Sequence, residues 1–151
     1  MNTRVHEKLK YFLIELGESK GYKSYSGDSQ PLDIRLKQKH IEYQPDVVWK
    51  TKRGKRFVFE IAFTEDWRAV AGEFVLSSLA ECSKFLVFRY VNDKDKIDSE
   101  IEKLYDLLSI LGEHFKETTW YYWILTKDNI KNFEKLKKDI KRELKKWGFI
   151  R

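Results

Sequence analysis

Two carboxylates carry the strongest chemical signal in this sequence. Asp46 sits in Pro45-Asp46-Val47-Val48-Trp49 and Glu60 in Phe57-Val58-Phe59-Glu60-Ile61-Ala62, with a basic stretch around Arg53-Gly54 between them. Both flanking runs have the apolar, β-branched and aromatic make-up of strands. Lys52-Arg53-Gly54 reads as a three-residue hairpin loop, with glycine at the position that requires a left-handed backbone. A hairpin centred on Arg53 sets Asp46 opposite Glu60, with β-carbons about 4.5 to 5.5 Å apart on one face. A two-residue loop would set Asp46 opposite Ile61 instead.

Carboxylates this close repel each other unless a cation or a proton lies between them. Mg²⁺ suits the pair, and Mn²⁺ is the alternative ion, because hard divalent cations take one or two carboxylates and fill their shell with water and phosphate oxygens. A metal so held lowers the pKa of a bound water and neutralises charge on a scissile phosphate, which makes a phosphodiester the expected substrate class.

The elements that must position the pair follow from periodicity. Val5, Leu9, Phe12, Leu13 and Leu16 form one face of a helix that starts at Asn2 or Thr3 and ends near Gly17 or Gly21. The Ser-, Gly- and Lys-rich run from Tyr22 to Gln30 reads as an exposed loop. Leu32, Ile34 and Leu36 alternate with polar residues as an edge strand that resumes at Ile41 and Tyr43. After the hairpin, Thr64 is expected to cap a helix with Glu65 and Asp66 in its first turn, running to about Cys82.

Lys84 to Tyr90 is a dense apolar run expected at the sheet centre. Asn92 or Asp93 opens the way to a helix through Ile97, Leu104 and Phe115, and Thr118 to Thr126 forms a last aromatic strand. A final helix from about Asp128 turns Leu136, Ile140 and Leu144 inward. The expected fold class is α/β over residues 1–151 as one domain: a mixed central sheet flanked by helices, an αβββαβ core with an added helix, strand and helix.

Pro45-Asp46, a hairpin, then Glu60-Ile61-Ala62 in that element order resembles the PD-(D/E)XK nuclease superfamily, which includes restriction endonucleases and archaeal Holliday junction resolvases. The likeness covers the first helix through the Lys84 to Tyr90 strand. It implies metal-dependent hydrolysis of nucleic acid, DNA above all, with Asp46 and Glu60 as metal ligands and the Ile61 main-chain carbonyl as a further ligand. It also makes Glu7 the acidic residue beside the metal, a role for which Glu15 and Glu18 are also available. The family pattern ends in a lysine that orients the nucleophile, and this chain has Ala62 there. Some members supply the cation from a neighbouring element, for which Arg68 and Lys84 are the candidates. Gln44 and Glu73 are further residues that could face the site.

Lys50, Lys52, Arg53, Lys55 and Arg56 crowd the hairpin turn, where they could grip backbone phosphates or simply keep the turn soluble. Residues 127 to 151 hold 10 Lys/Arg against 4 Asp/Glu, while the first 126 balance at 20 each. The whole basic excess of the chain therefore belongs to the last helix, as a polyanion-attracting patch or as the Lys/Glu-rich surface thermophiles favour.

The composition excludes other chemistries. A lone Cys82 rules out an internal disulfide and a cysteine-rich zinc site. His6, His40 and His114 have no zinc-binding spacing, and each reads as structural or exposed. No apolar run is long enough to span a bilayer, and the amphipathic first helix does not read as a signal peptide, so a cytoplasmic protein is expected. Nucleases that cut both strands often pair, which makes a homodimer an option. Ala62 keeps open a nuclease-like fold that binds nucleic acid or assembles with protein without cleaving, and a protein-interaction domain with no nucleic-acid role stands as a third reading.

Overall fold

The computed structural model describes residues 2–151 apart from residues 37, 38, 64 and 92. Five strands, in the order β1 (Lys23–Tyr25), β4 (Val47–Lys50), β5 (Arg56–Ala62), β6 (Lys84–Tyr90) and β7 (Thr119–Leu125), form the central sheet. β1, β4 and β5 are antiparallel neighbours, and β5, β6 and β7 are parallel. The fold is therefore α/β with a mixed sheet flanked by helices.

Alternation along the strands sends side chains to two faces, and each face finds its own helices. Val47, Trp49, Phe57, Phe59, Ile61, Leu86 and Phe88 form one core with α1 (Asn2–Ser19) and α5 (Phe133–Lys146). Val48, Val58, Ala62, Phe85 and Val87 form the other with α2 (Trp67–Leu79) and α3 (Lys94–His114). Both cores meet on β5, whose residues from Phe57 to Ala62 are all buried. A strand covered on both faces needs the near-continuous apolar run this one has.

Four expectations need correction. Leu32 to Tyr43 does not form the edge strand of the main sheet. β2 (Leu32–Leu36) and β3 (Lys39–Tyr43) pair only with each other, as a separate antiparallel hairpin. Its Leu32, Ile34 and Tyr43 cover the α2 side of the core, so the same alternation serves a covering hairpin as well as it would serve an edge. The true edge is β1, inside the run read as loop. Only three residues long, it is placed by backbone pairing from Lys23↔Lys50 to Tyr25↔Val48.

The final helix is two helices, α4 (Lys127–Lys131) and α5, broken at Asn132, whose side chain accepts the Lys135 N–H. α2 is capped by Asp66, whose carboxylate accepts the Ala69 N–H at 2.9 Å, so the helix starts later than expected. Thr64 and Asn92, expected at helix starts, lie outside the described residues, as do the side chains of Asn2 and Thr3; Asp93 caps α3. No helix among the described residues is long and apolar enough to cross a membrane.

Two glycines let the chain pass close to the hairpin. Gly17 lies under the Trp49 indole, where an added β-carbon would come within 2.4 Å of Nε1. Gly27 donates its N–H to the Pro45 carbonyl at 2.9 Å, and a β-carbon there would meet that oxygen at 2.1 Å. The obstacle at Gly27 is backbone, so Gly27→Ala must push the residue before Asp46 aside. We expect a loss of about 1 to 3 kcal/mol in urea unfolding, the usual penalty for overpacking a tight contact. A change below half of that range would mean that the contact is loose.

Candidate metal centre

β4 and β5 pair Val47↔Phe59 through Lys50↔Arg56, which carries Asp46 to the position opposite Glu60. The loop has the three-residue form. Thr51 N–H donates to the Lys55 carbonyl, Gly54 N–H donates back to the Thr51 carbonyl, and Gly54 has φ +84°. Each carboxylate is fastened to the other's strand: the Asp46 N–H donates to Glu60 Oε1 at 2.6 Å, and the Ile61 N–H donates to Asp46 Oδ2 at 2.8 Å. One oxygen of each acid is thereby fixed, and Asp46 Oδ1 and Glu60 Oε2 remain for other partners.

On one side stands a residue the sequence did not single out. His6 Nε2 lies 3.6 Å from Asp46 Oδ1, and its Nδ1 lies 3.7 Å from Glu7 Oε1. The Asp46 carboxylate beside it raises the imidazole pKa above its ordinary value, against the opposing effect of burial. Glu7 thus reaches the pair through His6, with its own side chain half exposed.

On the other side lies a buried carboxyl cluster. Burial, and next the charge of Asp46, push Glu60 well above the ordinary carboxyl value. Burial and hydrogen bonds to Glu65 and Glu60 push Glu73 up to about 12. Among the described residues the Oε2 atoms of Glu65 and Glu73 are buried and find no hydrogen-bond partner outside the carboxyl cluster. Carboxylate oxygens that face each other are satisfied only when a proton or a cation lies among them. The Tyr43 hydroxyl, also buried and without a hydrogen bond to a described residue, has its pKa raised chiefly by burial and then by the charges of Glu60 and Glu73.

A carboxyl whose pKa is raised by folding holds its proton more tightly in the native state. Its contribution is fully present below the ordinary value of 4.5 and is lost as pH climbs toward the folded value, which for Glu73 is about 12. His6, also raised, acts in the same direction. In chelator, the melting temperature is therefore expected to fall as pH rises from about 5 to about 9. Glu60→Gln combined with Glu73→Gln should flatten that fall, and a flat wild-type profile would contradict the buried cluster.

The remaining expected site residues divide clearly. Ala62 is fully buried. The Ile61 side chain lies in the α1–α5 core and its amide is taken by Asp46. Arg68 is exposed on the first turn of α2. Lys84 is not brought to the pair: it starts β6 opposite Phe57, on the other face from Glu60, and its ammonium donates to the Trp147 carbonyl at 2.9 Å and to the Tyr121 hydroxyl at 3.2 Å. Gln44 is exposed beside Tyr43.

The basic turn lies at the far end of the hairpin. Lys50, Lys52, Arg53 and Lys55 are exposed, and strand rise puts the turn roughly 15 to 20 Å from Glu60. Arg56 is committed to the fold through a 3.1 Å bond to the Ala80 carbonyl.

The cation that stands beside Ala62 in the sheet is Arg89. Its guanidinium donates to the carbonyls of Ala62 and Glu65 and to Glu100 Oε1 at 3.3 Å, while Tyr122 donates to the other Glu100 oxygen. Arg89 therefore ties the ends of β5 and β6 to α3.

Among the described residues no three His, Cys, Asp or Glu donors form a ready-made metal cage. An ion here would rest on the carboxylates of Asp46 and Glu60 with water completing its shell, which is the way Mg²⁺ is commonly held. The two orphaned carboxyl oxygens and the crowding of acids fit a cation of that kind. Comparison of the chain with protein-family models, with curated proteins and with solved structures found no match.

Proposed function

We propose that the protein hydrolyses phosphodiester bonds of nucleic acid, DNA in the first place, with a divalent metal held by Asp46 and Glu60. The observation that carries this reading is the reciprocal fastening of the two carboxylates, each accepting a backbone N–H from the other's strand. That arrangement holds two acids together at a cost that a cation would offset. The order α1, β1, β4, β5, α2, β6, with the β2–β3 hairpin inserted, supports the likeness to PD-(D/E)XK nucleases.

When bound, the metal would supply an activated water and charge neutralisation at the phosphate. Asp46 and Glu60 would orient it through the oxygens that the backbone leaves free. His6, with Nε2 3.6 Å from Asp46 Oδ1, brings an imidazole to the Asp46 side of the pair. Arg89 keeps the end of β5 in place.

A second reading is favoured by Ala62 itself. Its burial leaves no room for a cation at that position, and Arg89 is committed to Glu100 and two carbonyls. On that reading the fold binds nucleic acid, or assembles with protein, without cutting. Incubation of purified protein with labelled linear, branched and single-stranded DNA in Mg²⁺ or Mn²⁺ separates the two. Metal-dependent products support hydrolysis, and salt-sensitive binding without products supports the second.

A further inference from the structure

A second charged feature lies on the face of α1 turned away from His6. Arg4 and Lys8 of α1 and Lys127 and Lys131 of α4 line a pocket of about 360 Å³ with Tyr90, at the end of β6, and Ile130. No acid lines it. All four cations are exposed, and none is in an ion pair with a described residue. Further along the same basic surface the charges are compensated: Lys137 pairs with Glu134, and Arg142 with Asp139 and Glu143.

The pocket cations are placed against their own electrostatics. Arg4 with Lys8, and Lys127 with Lys131, are like charges four residues apart on a helix, a repulsive spacing. Arg4 also stands in the first turn of α1, which holds no acid, where the helix dipole disfavours a cation. A bound polyanion would relieve both penalties.

Position links this pocket to the metal centre. Tyr90 packs on Phe63 at 5.9 Å between ring centroids, and Phe63 packs on His6 at 6.1 Å. His6 reaches Asp46. The pocket and the pair are thus joined through three successive side-chain contacts, and α1 carries both His6 and the pocket's Arg4 and Lys8.

We infer that this four-cation pocket, and not the hairpin turn, grips the sugar-phosphate backbone of the nucleic-acid strand presented to Asp46 and Glu60. The inference rests on the proposed function for its substrate class, and its test reads binding with no metal present. Phosphate contacts of this kind give affinity without sequence preference and fall steeply with salt.

The probe is a fluorescent DNA of about 16 nucleotides, single-stranded and as duplex, titrated by anisotropy in chelator between about 50 and about 200 mM salt. Lys8→Gln with Lys127→Gln and Lys131→Gln should weaken binding at least tenfold. It should also lower the slope of log affinity against log salt by about 0.7 to 0.9 for each phosphate that is no longer neutralised. Lys52→Gln with Arg53→Gln and Lys55→Gln is the comparison and should weaken binding less than threefold. All six side chains are exposed, and circular dichroism checks that both variants fold.

Equal losses in the two variants, or an unchanged pocket variant, would overturn the pocket. So would a wild-type protein that binds no DNA at low salt but binds acidic polypeptide or anionic vesicles. DNA binding through the pocket with no cleavage in Mg²⁺ would overturn hydrolysis and leave the pocket standing. Cleavage retained by the pocket variant at unchanged KM would do the reverse.

Discussion

Asp46→Asn and Glu60→Gln are each expected to reduce Mg²⁺-dependent hydrolysis by at least about a hundredfold, since even outer partners of a metal ligand can cost that much. Both substitutions keep an oxygen where the backbone needs one. The asparagine can still accept the Ile61 N–H, and the glutamine can still accept the Asp46 N–H. The fold is therefore expected to survive, and Glu60→Gln should hold or gain stability in chelator because it replaces a buried acid whose charged form is disfavoured. Initial-rate measurements beside urea unfolding separate lost chemistry from lost structure. Undiminished activity in either variant would remove that residue from the site.

The largest stability effect is expected at Arg89. Its side chain is 9% exposed and that of its partner Glu100 15%, so the pair is largely shielded from water. Arg89→Met leaves Glu100, among the described residues, with the Tyr122 hydroxyl alone and strips a donor from the carbonyls of Ala62 and Glu65. Removing one partner of a buried ion pair typically costs about 3 to 5 kcal/mol. Adding Glu100→Gln should recover part of that loss, because the stranded charge is gone. A single-variant loss below about 1 kcal/mol in urea unfolding, the range of a surface pair, would mean that the bridge is open to water.

The hairpin was legible because two local signals agreed. The strand runs marked its ends and Gly54 pointed to a three-residue turn, and the observed register then chose Glu60 over Ile61 as the residue facing Asp46. β1 was not legible: three residues among serines and lysines carry no period, and only pairing with β4 makes them a strand. Leu32, Ile34 and Tyr43 carried a true alternation, yet alternation does not say which sheet a strand joins.

The surroundings of the pair depended on tertiary placement. His6 sits at the rim of the apolar stripe marked by Val5 and Leu9, a position that gave no sign it would meet Asp46 across the sheet. Glu65 read as a complement to a helix dipole, whereas its buried oxygen belongs to the cluster around Glu60 and Glu73. Lys84 looked available beside the site until the parallel register set it opposite Phe57. The gap at Ala62 was visible in the sequence, but the neighbour that ties down its carbonyl, Arg89, required β6 to be laid alongside β5.

A crystal soaked in Mn²⁺, with diffraction recorded at the manganese absorption edge, tests the central claim most directly. One anomalous peak is expected beside the Asp46 and Glu60 carboxylates, lost in Asp46→Asn crystals. Absence of a peak at the pair in metal-saturated crystals, or a peak only at other carboxylates, would contradict it.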